Sequence, residues 1–80
     1  MTKEELVKVP FKFSSHISMA HEHIATYINT SYGFTMWRHT RVKSDGFTYG
    51  RTRTHYGYKG KVYKSLPKFL EAIKDVPFKG

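Results

Sequence analysis

From Phe34 to Tyr63 the chain reads as two or three short strands, and this stretch limits the possible folds more than any other. Ser44-Asp45-Gly46 breaks it, and the loop formed there decides which side chains share a face, because strand residues alternate sides. A two-residue Asp45-Gly46 loop sets Tyr49 opposite Val42 and mixes Arg51 and Arg53 with Met36 and Val42, leaving neither face apolar. A three-residue loop, Ser44-Asp45-Gly46, is a type I turn followed by a left-handed Gly and a bulge, and it sets Lys43 opposite Phe47. One face then carries Phe34, Met36, Arg38, Thr40 and Val42 with Thr48, Gly50, Thr52, Thr54 and Tyr56. The other carries Trp37, His39, Arg41 and Lys43 with Phe47, Tyr49, Arg51, Arg53 and His55. The second register is preferred, since it yields a mixed Thr/apolar inner face and one coherent outer face. Arg38 is its misfit, expected to reach an edge with its stem buried.

Charge is gathered in the same stretch. Arg38, Arg41, Lys43, Arg51, Arg53, Lys59, Lys61 and Lys64 lie in it or just after it against a single acid, Asp45, and so account for nearly all of the formal net charge of +8. Cations neutralise phosphates and release counterions, while Trp, Tyr and Phe offer flat surfaces to bases or sugars. The outer face thus proposes the contact residues Trp37, His39, Arg41, Lys43, Tyr49, Arg51, Arg53, His55, Lys59 and Lys61, with DNA or RNA as the partner. Thr, Arg and Tyr are also ordinary on an exposed strand, and edge Lys discourages aggregation.

The rest of the chain supplies a frame. Thr2 with Glu5 forms a capping box for a short helical turn. Val7 to Phe13 alternates with period two and reads as an edge strand or N-terminal arm within residues 1–13, demoted by Pro10, with Val7, Val9, Phe11 and Phe13 inward together. Ser14 or Ser15 caps an expected helix to about Thr30, with Ile17, Ala20, Ile24 and Ile28 as its apolar stripe and Gly33 as its stop. Gly57 and Gly60 precede a third strand, Lys61-Val62-Tyr63. Ser65 caps a second helix, with Pro67 in its first turn, Leu66, Phe69, Leu70 and Ile73 as its stripe, and Asp75 and Pro77 closing it. The expected fold is one α+β domain over residues 1–80: a three- to four-stranded antiparallel sheet with two helices packed on one face, in the order β-α-β-β-β-α.

In layout, a helix, three strands and a helix are similar in order to double-stranded-RNA-binding domains, which carry a basic cluster at the start of the last helix. Lys64-Ser65-Leu66-Pro67-Lys68 holds that position here, with two lysines and a proline. A three-stranded sheet backed by one helix also resembles the plant AP2-type and integrase arm-binding domains, which read DNA with Arg and Trp on the sheet. Trp37, Arg41, Arg51 and Arg53 suit that role, although no sequence motif is shared.

Chemistry beyond binding finds less support. His16, Met19, His21, Glu22 and His23 invite a metal reading, yet no H-E-x-x-H arrangement and no thiolate completes it. No cofactor motif is present: Gly57 and Gly60 match neither the P-loop nor the dinucleotide fingerprint. A metal-independent ribonuclease could enlist His39 or His55 as acid and base with Arg51 or Arg53 on the phosphorane, but a carboxylate would have to come from Glu22 on the expected helix. A binder is therefore expected rather than an enzyme. The alternative is a small inhibitor or adaptor whose basic, Tyr-rich face docks on an acidic protein. Absence of cysteine, of a membrane-length apolar run and of a signal-peptide core leads to the expectation of a soluble, cytoplasmic protein with no membrane partner.

Overall fold

A computed structural model describes residues 1–43 and 49–79 of the chain. Its elements are α1 (Lys3–Leu6), β1 (Lys12–Ser18), β2 (Glu22–Asn29), β3 (Phe34–Val42), β4 (Tyr49–Tyr58), β5 (Lys61–Tyr63) and α2 (Leu66–Ala72). The strands form one five-stranded antiparallel meander in the order β1-β2-β3-β4-β5. Both helix and sheet are present, but the expected β-α-β-β-β-α order with two packed helices is overturned. The layout behind both family resemblances is absent with it.

The error lies between Ser14 and Thr30. Ile17, Ala20, Ile24 and Ile28 do step by three and four, but the segment is rich in residues that are stiff at Cβ or aromatic: Ile17, Ile24, Thr26, Tyr27 and Ile28. Such side chains suit a pleated surface better than a helix. β1 and β2 fold back on each other, with the Met19 N–H donating to the Glu22 carbonyl at 2.8 Å across the turn. β2 then pairs along its whole length with β3, which supplies the partner that local spacing cannot reveal.

The N-terminal arm also departs from expectation. Val9 is buried at 6% exposure, whereas Val7 is 76% and Phe13 61% exposed, so the four apolar residues do not face inward together. The Val9 N–H donates to the Leu6 carbonyl at 3.0 Å, turning the chain before Pro10, which has no N–H to give a ladder. The strand begins only at Lys12, as an edge of the sheet.

Other local signals are realised. The Thr2 hydroxyl accepts from the Glu5 N–H at 3.2 Å and the Glu5 carboxylate from the Thr2 N–H at 2.8 Å. The Ser65 hydroxyl accepts from the Lys68 N–H at 3.4 Å, with Pro67 in the first turn, although α2 stops at Ala72, before Asp75 and Pro77. Lys59 and Gly60 both have positive φ, 49° and 77°, the twisted two-residue turn that matches a β-hairpin. Asn29 is buried but satisfied: its amide donates to the Pro10 carbonyl at 3.0 Å, and its Oδ1 accepts from the Tyr32 N–H at 2.9 Å.

The core is built at one end. Phe34, Phe69 and Ile73 are fully buried, joined by Met1, Leu6 and Val9 from the N-terminal segment. Tyr56 stacks on Phe69 at 4.6 Å, and Phe34 meets Phe69 edge-on at 5.3 Å. The Met1 amino group donates to the carbonyls of Ile73, Lys74 and Val76 at 2.8, 3.0 and 2.8 Å, closing the end of α2. Both helices thus cover one face of the sheet, and only the end of it that carries Phe34, Tyr56 and Tyr63. Arg38 lies beyond them on that face and is exposed, so its stem is not buried at an edge as expected.

Candidate nucleic-acid interface

Pairing fixes what stands on the opposite, open face. Across β2, β3 and β4 the rows are Ile24–His39–Arg53 and Thr26–Trp37–His55, with Glu22 opposite Arg41 at one end. Odd-numbered residues of β3 therefore share the open face with odd-numbered residues of β4, the sorting that the three-residue loop implies. The register itself is shifted: Trp37 pairs with His55 and His39 with Arg53. The loop residues Ser44-Asp45-Gly46, with Phe47 and Thr48, lie outside the described residues.

A bulge reconciles the two sequence registers. Thr40 pairs with Thr52 but Val42 pairs with Tyr49, so β4 spends one residue more than β3 over that step. An extra residue in one strand reverses the side on which the following side chains project. Gly50 sits at this place, where a Cβ would lie 3.6 Å from the Arg41 carbonyl oxygen. Arg51, Arg53 and His55 stay with Trp37, His39 and Arg41, whereas Tyr49 crosses to the helix-backed side and meets His23 edge-on at 5.6 Å. The assignment of Tyr49 to the outer face is corrected on that ground.

Three arginines and two histidines gather around a shallow hollow of about 400 Å³ lined by His21, Glu22, His39, Arg41, Arg51 and Arg53. Glu22 is the residue that sequence reasoning placed on a helix. On β2 its Oε1 accepts from His39 Nδ1 at 2.7 Å, leaving the other ring nitrogen of His39 available. His39 and His55 rings lie 4.4 Å apart at 47°. Burial lowers the His55 pKa below 6.5, and the positive charges of His39, Arg53 and Lys64 lower it further against a smaller opposing effect of Glu22. Among the described residues the ion pairs are His39–Glu22 and Lys74–Glu71, so no described carboxylate pairs with Arg41, Arg51 or Arg53.

The remaining candidates divide. Trp37 is half-buried, resting against Gly57. Lys43 follows β3 and borders a second hollow with His21, Arg41 and Arg51. Lys59 lies in the β4–β5 turn with its ammonium 5.3 Å from the Tyr58 ring centre, and Lys61 pairs with Tyr58, which puts it on the other face by register. Sequence reasoning missed Glu22 and Ile24 as members of the open face, for which period-two alternation through β2 was the available signal; it also missed His21, which precedes β2 and lines the hollow. His16 and His23 meet across the β1–β2 hairpin, their ring centres 5.2 Å apart. No protein-family model matches this chain, and no curated protein or solved structure matches it significantly. Among the described residues no helix is long and apolar enough to cross a membrane.

Proposed function

We propose that this chain is a small nucleic-acid-binding module that lays the open face of its sheet on a phosphate backbone. The observation that carries this reading is the gathering of Arg41, Arg51 and Arg53 on the face opposite the helices, without a described carboxylate partner. Guanidiniums in a shared hollow concentrate positive potential where an anion can reach it, and the helices stand on the other side of the sheet. Arg presents a planar fork of donors that matches phosphate oxygens. Cysteine-free composition suits work in a reducing cytoplasm.

Binding is favoured over RNA cleavage by the placement of the histidines. Attack by a 2′-hydroxyl puts the entering and leaving oxygens on opposite sides of phosphorus, so acid and base must flank it. Rings whose centres are 4.4 Å apart, tilted at 47°, stand side by side instead.

The test is a titration of labelled DNA and RNA at two salt concentrations, beside the double variant Arg51→Glu/Arg53→Glu. Salt-sensitive binding that the variant loses supports the reading. Absence of binding at low salt would overturn it in favour of an acidic protein partner for the same face.

A further inference from the structure

The open face also offers a seat for a ring. A Cβ built on Gly57 would lie 2.7 Å from Cη2 and 2.9 Å from Cζ3 of Trp37, so the six-membered ring of the indole occupies the space a side chain would take. Around it is a hollow of about 240 Å³ bordered by Thr35, Gly57, Lys59 and Val62, room for a planar ring and too small for a drug-sized ligand. Val62 is 58% exposed, and neither helix lies on this side of the sheet.

The cations are laid out for one strand of nucleic acid. Arg41 stands on β3 and Arg51 and Arg53 on β4, neighbouring strands roughly 4.8 Å apart. The next strand, β2, presents Glu22, Ile24 and Thr26 to the same face, with no cation among them. A duplex presents two phosphate rows separated by a groove of about 6 or 12 Å. Here a second row falling on β2 would meet Glu22, Ile24 and Thr26, a carboxylate and no cation. In a duplex, moreover, each base is covered on both sides by its neighbours, so a ring on a strand floor has nothing to stack on.

We propose that the ligand is single-stranded nucleic acid, its backbone following the arginines of β3 and β4 and one base stacking on Trp37. This rests on the anion-binding reading above and adds the strandedness and the base site. Residues two apart on a strand repeat at about 6.6 Å, so a chain running along β4 passes Arg51, Arg53 and His55 in steps a single extended nucleotide strand can follow.

Trp37 is the single tryptophan of the chain, so its fluorescence reports on this site alone. The experiment titrates a labelled 12-nucleotide oligothymidylate and a duplex of equal length into the protein at low salt, with anisotropy and Trp emission read together. The expected result is tighter binding of the single strand by about tenfold or more, with quenching of Trp37. Trp37→Ala, with its fold checked by circular dichroism, lowers single-strand affinity by about 5- to 100-fold and leaves duplex binding unchanged. Gly57→Ala, which displaces the indole while keeping it, does the same. Duplex bound as tightly as single strand, or unquenched emission on binding that Arg51→Glu/Arg53→Glu abolishes, overturns the stacking inference while the anion reading stands. No binding of either probe overturns both.

Discussion

At the scale of single residues, His55 is the group whose environment sets a measurable pH dependence. Its folded-state pKa lies below 6.5, so charging it is harder in the native protein than in the unfolded chain. Its contribution to stability is complete above pH 6.5 and is lost as pH falls from there through the lowered native value. The melting temperature should therefore drop on acidification through this window, and His55→Asn should flatten that part of the profile. Anion binding should tighten over the same range, because a charged His55 adds to Arg53 on the open face. Glu22→Gln gives a second residue-level expectation: the amide oxygen can still accept from His39, but a negative charge leaves the face. Oligonucleotide affinity should rise several-fold at low salt, and the gain should shrink as salt is added. A fall in affinity would mean that Glu22 serves the site by its charge.

At the scale of elements, α2 and its contacts hold the fold. Phe69 is fully buried among Phe34, Tyr56 and Tyr63. Phe69→Ala should cost about 3–5 kcal/mol, close to the whole stability of a small domain, and chemical denaturation should show an early, broadened transition. Asn29 works by hydrogen bonds instead, tying the β2–β3 turn to the Pro10 carbonyl. Asn29→Ala strands both partners and should cost about 1–3 kcal/mol by the same measurement. Elements also show where local sequence suffices. Thr2, Glu5, Ser65 and Pro67 act within one helical turn, and their roles could be read directly. Residues 14–30 could not be read so: their apolar spacing satisfied a helix, while the β-branched content and the presence of β3 as a partner favoured a hairpin.

At the scale of the molecule, the chain is elongated, with extents of 44 × 22 × 22 Å, and its core is confined to the end bearing both helices. The β1–β2 turn end has exposed Ile17 and Met19 and lacks such a core. Hydrogen exchange should accordingly be slowest at the β3–β5 and α2 end and faster through β1. This asymmetry leaves one face, and half of the other, without a helix on it. The open face became a candidate site because both helices pack on the other one.

Residue order alone determined the caps, the β4–β5 turn region, the short third strand of that stretch and the parity that puts Trp37, His39 and Arg41 on one side with Arg51, Arg53 and His55. These follow from alternation and from hydrogen bonds between close neighbours. Only the tertiary structure decided that residues 14–30 are two strands, that a bulge carries Tyr49 to the other face, and that Glu22 lies 2.7 Å from His39. Each of those depends on which strand lies alongside, a choice made by pairing and burial across the chain, to which local periodicity is blind.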